Sequence, residues 1–321
     1  MPTMIFNTWK HGSIIFLMLL LNACDMTPKP EKTFAISPEG LFSAALSKQF
    51  ALLGTIRGNA ELWQLKPKAL LHTWQHTDAE NGIIAVAISD DEHYALTAEK
   101  DSIAWWRIAD GNLLNVWSLP DIHSVSLSAD GQFALIGLPR KAIYFALNYG
   151  KTIYAFAHQQ AVVSSDISAS GLLAITGSED HSAKLWDLNT GKIKSTWQHH
   201  SAVSVVAITD DDQYALTNAA LGRTRLWKTH NGKLYRQIGP SLMTLSAVKF
   251  SSDNHFLITG RTSQRIDLWR IKSGKMLNFW RPKKENSWRP SASTILALTF
   301  DPTNKKIYSI SSNGYLQRWR K

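Results

Sequence analysis

The chain consists of short runs in which apolar and polar residues alternate, separated by clusters of Asp, Asn, Ser and Gly. "VVAITDDDQYALT" (205–217) and "VSLSADGQFALIG" (125–137) each read as two such runs around a tight turn. A period of two sends successive side chains to opposite faces, as in a half-buried strand, and the polar cluster marks the hairpin. Downstream, a second turn such as "ADGN" at 109 or "NTGK" at 189 leads into another strand ending in an aromatic: Trp74, Trp117, Phe156, Trp197 or Trp280. From residue 24 onward no stretch shows sustained helical periodicity with caps, so the expected class is all-β.

The aromatic residues set the repeat. "AELWQL", "IAWWRI", "AIYFAL", "AKLWDL", "TRLWKT", "IDLWRI" and "YLQRWRK" place Trp63, Trp106, Phe145, Trp186, Trp227, Trp269 and Trp319 at intervals of 43, 39, 41, 41, 42 and 50 residues. A period of about 40–45 residues with four strands per unit is that of propeller blades. Trp319-Arg320-Lys321 finishes only a third strand, while Thr33-Phe34-Ala35-Ile36 precedes the first full unit without a sheet of its own. Pairing the two closes the ring and removes exposed edges. Residues 33–321 are therefore expected to form a seven-bladed β-propeller, its last blade closed by the N-terminal strand.

The segment "GSEDHSAKLWDLNTGK" (177–192) resembles the WD-repeat propeller family. The resemblance implies a structural hydrogen-bond tetrad of His158, Thr176, Asp180 and Trp186, in which a His–Asp pair and a hydroxyl satisfy the buried indole N–H. Lys100, Leu221, Ser263 and Asn313 stand at the aspartate's place in other units, so the network is expected to be mostly lost there.

The N-terminal segment has a different pattern. Lys10 and His11 precede an apolar run from Ser13 to Leu21, too short for the roughly 20 residues of a membrane-spanning helix. A positive start followed by a short apolar core fits a secretory signal peptide; the alternative is a buried first helix of a soluble protein. Leu21-Asn22-Ala23-Cys24 resembles the lipobox of bacterial lipoproteins, which implies cleavage before Cys24 and a diacylglycerol on its thiol. Cys24 is the only cysteine and has no partner for an intrachain disulfide. The expected organisation is a signal peptide over 1–23, a lipidated N-terminus and linker over 24–32, and the propeller beyond. The linker "DMTPKPEK" is extended by its prolines and reaches roughly 25 Å. Asp25 resembles the signal that holds lipoproteins in the inner membrane of enteric bacteria, so a lipid-anchored, periplasm-facing location is implied, inner membrane over outer.

Charge adds a candidate surface. The formal net charge is +10, or +9 once Lys10 is removed with the leader. Residues 261–290 hold nine basic side chains against Asp267 and Glu285, and the excursion "RPKKENSWRPSAST" (281–294) accounts for the longest interval. Arg281, Lys283, Lys284, Trp288 and Arg289 form a candidate interaction loop, with Trp288 either anchoring a partner or folding back onto a blade. Anionic lipid head groups are a possible target at about 1 kcal/mol per close basic residue. No nucleic-acid partner is expected of an exported chain.

Little points to catalysis. The carboxylate runs "SDDEH" (89–93) and "TDDDQ" (209–213) occupy the hairpin turn that reads "SADGQ" or "SSDNH" elsewhere, where Asp serves the backbone. His199 and His200 are neighbours in an extended segment and point apart, which opposes joint metal ligation. GxSxG, HExxH, GxxxxGK[ST] and GxGxxG do not occur, and no cofactor or metal is expected. The expected function is a membrane-anchored scaffold for other envelope proteins. The alternatives are an enzyme or small-ligand binder using the central channel, and a basic envelope-binding module. Titratable side chains converging on the channel mouth would favour the channel reading.

Overall fold

The computed structural model describes residues 28–76, 82–282 and 293–321. Among them, twenty-eight strands form seven four-stranded antiparallel sheets. Six blades use consecutive strands, over residues 41–75, 85–118, 124–157, 162–198, 203–238 and 245–280. The seventh takes its three inner strands from residues 295–320 and its outer strand from Lys32–Ala35. That strand pairs antiparallel with Tyr315–Arg320, Lys32 opposite Arg318 and Ala35 opposite Tyr315. The chain is a seven-bladed β-propeller closed by its N-terminal strand, and the innermost strands of adjacent blades pack round the whole ring.

The core lies between blades, because each sheet buries both faces against its neighbours. Phe156 on the outer strand of blade three stacks on Trp186 of blade four at 4.4 Å. Trp74 on Trp106 and Trp197 on Trp227 repeat this at 5.0 and 5.1 Å. Such pairs contribute about 0.5–1.5 kcal/mol beyond their buried area. The outer tryptophans are also anchored by their indoles, Trp74 Nε1 donating to Gly111 O and Trp197 Nε1 to Gly232 O, both at 2.9 Å. Gly54, Gly137, Gly177 and Gly260 hold one equivalent position at the end of each second strand. A Cβ on Gly137 would come within 2.1 Å of Val162 O, and one on Gly54 within 2.4 Å of Ile83 O, so glycine here lets blades approach closely.

Two faces follow from the strand order. One carries the turns between second and third strands and the links between blades; it is the linker face. The other carries the remaining hairpins and is the hairpin face. The closing strand runs from the hairpin face to the linker face, so residues before Lys32 join the ring at the hairpin-face rim of blade seven. Glu31 is held there by Arg318 at 3.0 Å and lies 3.7 Å from Lys306. Among the described residues, no helix is long and apolar enough to cross a membrane.

Candidate functional site: the tetrad, the channel mouth and the linker face

The structure brings His158, Thr176, Asp180 and Trp186 together in blade four. His158 Nε2 lies 2.8 Å from Thr176 Oγ1 and its Nδ1 lies 2.8 Å from Asp180 Oδ2, while Trp186 Nε1 donates to Thr176 Oγ1 at 2.9 Å. Gln159 N and Ser182 also donate to Asp180. Burial would raise the Asp180 carboxyl, but these hydrogen bonds and His158 outweigh it and hold the group well below the usual carboxylate range. For His158 burial wins, lowering its pKa despite the aspartate.

The network is more widespread than the aspartate position suggests. An indole N–H bonds a strand hydroxyl in four more blades: Trp106 to Thr97, Trp227 to Thr217, Trp269 to Thr259 and Trp319 to Ser309, at 2.8–3.0 Å. Blade two also keeps its histidine, with His76 bonded to Thr97 at 2.7 Å and to Ser102 at 3.0 Å. The carboxylate near it, 3.7 Å from His76 Nδ1, belongs to Glu99 and not to the residue at position 100. The turn from Thr97 to Ser102 is one residue shorter than that from Thr176 to Ser182, which moves the acid back by one.

Blade five keeps the indole bond but changes the rest of the network. His199 packs edge-on against Trp227, but its Nε2 has no hydrogen-bond partner and burial lowers its pKa to about 4. Leu221, at the aspartate's position, is 65% exposed. Another residue fastens this blade to the next. Asn218 stands where blades one, three, four and six have glycine, and its fully buried amide donates to Thr224 Oγ1 and to Met243 O at 3.0 Å and accepts from Leu245 N at 3.2 Å. The signal was present as a break in the glycine column, "LTNA" against "ITGS" and "ITGR".

At the hairpin face the channel opens into a cavity of about 460 Å³ lined by Lys48, Asp90, Asp210, Lys249 and Asp301, among others. Asp166 lies deeper on the wall of a contiguous space of about 410 Å³. The carboxylate runs are thus only partly turn residues. Asp91 and Asp211 accept from Ser89 and Thr209 within their hairpins, while Asp90 and Asp210 face the mouth. Burial pushes the Asp166 carboxyl up to about 7, and Asp210 is also raised by burial. Asp166 has a structural task as well, accepting from Ile208 N of the next blade at 2.8 Å and from Ile167 N at 3.0 Å. Asp166 and Lys249 occupy an inner-strand column that elsewhere reads Ala45, Ala87, Ser126, Ala207 and Thr299. Among the described residues, no three His, Cys, Asp or Glu side chains are grouped so as to hold a metal ion.

On the linker face, Arg261 and Arg265 share the fully buried Asp267, with Arg261 Nη2 and Arg265 Nε each 2.6 Å from its oxygens. Arg281 is exposed beside them, 6.0 Å from the Phe279 ring centre. Cys24, Asp25, Lys283, Lys284, Trp288 and Arg289 lie outside the described residues.

The fold is a seven-bladed β-propeller, and blade four carries the complete His–Thr–Asp–Trp network. Residues 150–187 match the family model for the WD domain, G-beta repeat, so the chain carries a WD40 repeat spanning the outer strand of blade three and the first three strands of blade four. No curated protein matches the chain.

Proposed function

We propose that this protein is a scaffold for protein–protein interaction, held at a bacterial membrane by lipid on Cys24 and facing the periplasm. The observation that carries the scaffold reading is a closed ring whose polar networks are consumed in joining blades, leaving two broad loop faces. WD40 propellers commonly serve as interaction scaffolds, and this use needs no cofactor. Crosslinking in the native envelope tests it. A partner whose crosslink moves with substitutions on one loop face supports the scaffold, and a chain that crosslinks to nothing at any face position overturns it.

The anchor rests on the sequence alone. Cys24→Ser should abolish palmitate labelling, and label retained in the mutant removes the lipid assignment. Wild type in the outer-membrane fraction of a sucrose gradient would end the inner-membrane assignment from Asp25. A second reading is supported by the channel, where Asp90, Asp210 and Lys249 converge at the mouth and Asp166 lies deeper on the wall, a setting suited to a small amine-bearing ligand. A thermal-shift screen with small amines distinguishes it: stabilisation lost in Asp210→Asn favours the channel, and no stabilisation removes it.

A further inference from the structure

The turn 220–223 of blade five and the link 239–244 to blade six meet on the linker face, Leu242 N donating to Gly222 O at 3.2 Å. They present Leu221 and Leu242 on this face, 65% and 67% exposed. Leu242 is held at φ +62°, a left-handed conformation that glycine or asparagine adopts without the steric cost a leucine bears. The ring gains little burial from this side chain in return. Strain kept at an exposed apolar residue points to a use at the surface.

The surroundings fix the chemistry of that use. Arg223 is exposed next to the leucines, with only long contacts to Ser241 at 3.3 Å and Gln237 at 3.4 Å. Arg261 follows in the same patch, since it pairs with Leu245, three residues beyond Leu242. Arg261 and Arg265 share one carboxylate, so the trio retains a positive charge. Among the described residues on this face of blades five and six, Asp267 is the sole acid. Guanidinium groups match carboxylates in a planar, two-pronged geometry, and the leucines match aliphatic side chains.

We infer that Leu221, Leu242 and Arg223, with the arginines of blade six, form a docking surface for an acidic, leucine-bearing segment of a partner protein. The inference rests on the scaffold reading and gives it a face and a partner chemistry. An anionic bilayer would satisfy the same side chains, but the segment before Lys32 joins the ring at the opposite, hairpin face. With the anchor assigned above, a linker reaching roughly 25 Å turns the linker face away from the membrane.

The test uses the full chain in nanodiscs of phosphatidylcholine, with empty nanodiscs as the blank. Fluorescein-labelled twelve-residue peptides alternating Glu with Leu, or Lys with Leu, are titrated by anisotropy. The acidic peptide should bind at least tenfold more tightly than the basic one. Its affinity should fall at least tenfold in the Leu221→Ser/Leu242→Ser pair, in Arg223→Glu and in 0.5 M salt. Equal binding of the two peptides, or indifference to these variants when their melts match wild type, overturns the inference. For the membrane alternative, an environment-sensitive dye is placed on Ser241→Cys. A blue shift with acidic peptide supports the docking surface, while a blue shift on adding phosphatidylglycerol to the nanodisc, without peptide, overturns it. Absence of peptide binding leaves the scaffold with a different face, whereas palmitate on Cys24→Ser breaks only the tether, so the two failures are told apart.

Discussion

Blades four and five have the same strand plan and an equivalent tryptophan, buried in blade four and half-buried in blade five, yet they fasten their linker-face turns differently. In blade four, Asp180 gathers His158, Ser182 and Gln159 N and holds the turn from within. In blade five the aspartate's place is taken by Leu221, His199 Nε2 is left without a hydrogen bond, and Asn218 ties the blade to the next link instead. One arrangement spends the turn's side chain on the fold, and the other leaves it on the surface. The indole-to-threonine bond is common to both, at 2.9 and 2.8 Å, so the inner layer persists while the outer layer is free to change.

The shared layer should give the largest effects. Trp186→Ala and Trp227→Ala each remove an aromatic stacked against the preceding blade, and each should lower stability by about 3–5 kcal/mol in denaturant melts. A melt like wild type for either would break the common frame. Next come the two fasteners. Asp180→Ala strands the donors of His158, Ser182 and Gln159, and Asn218→Ala strands Thr224, Met243 O and Leu245 N. Each should cost about 1–3 kcal/mol, and additivity in the double variant would show that they act in separate blades.

Acid should then separate the histidines. Burial lowers His76 and His199 from 6.5 to about 4, so the unfolded chain takes up protons that the folded chain refuses. Stability is full above 6.5 and is lost as pH falls from there towards 4. His199→Phe should remove its share of that slope, about 1 kcal/mol between pH 7 and 5 after discounting for partial solvent access. Melts at the two pH values read it directly, and an unchanged slope would mean that His199 titrates alike in the folded and unfolded chains. The smallest effect is a repair. Leu221→Asp puts a carboxylate near His199 and should stabilise by about 0.5–1 kcal/mol while raising the histidine's pKa, measured by NMR titration. A lower melting temperature would show that blade five cannot host the blade-four network.

The ring was legible in the sequence because tryptophans and alternation report on a core between blades, and burial is the strongest force on residue choice. The blade-four tetrad was legible because all four residue types stand at familiar spacing. Glu99 was not, because counting along the chain misplaces a side chain when a turn shortens by one residue. Asp166, Lys249 and Asn218 were missed for another reason. Asp166 and Lys249 depart from a column of small residues and Asn218 from one in which four blades have glycine, and such columns appear only when the blades are laid side by side. Leu221 could be read as a lost aspartate; its meeting with Leu242 depends on how a turn and a link cross in space.

The closing strand imposes an order on events. Lys32–Ala35 is made long before its partner Tyr315–Arg320, a separation of 285 residues between Thr33 and Gln317 counted inclusively. Six sheets can assemble from neighbours during synthesis, but the seventh waits with its edge open until both ends are present. That clasp is therefore the contact of longest sequence range in the ring, and loop-closure entropy makes it slow to find. It also sits where the N-terminal segment enters. Any tension on the N-terminal segment is delivered first to the four pairs of this strand, so the ring's last seam to be stitched is also the first to bear load.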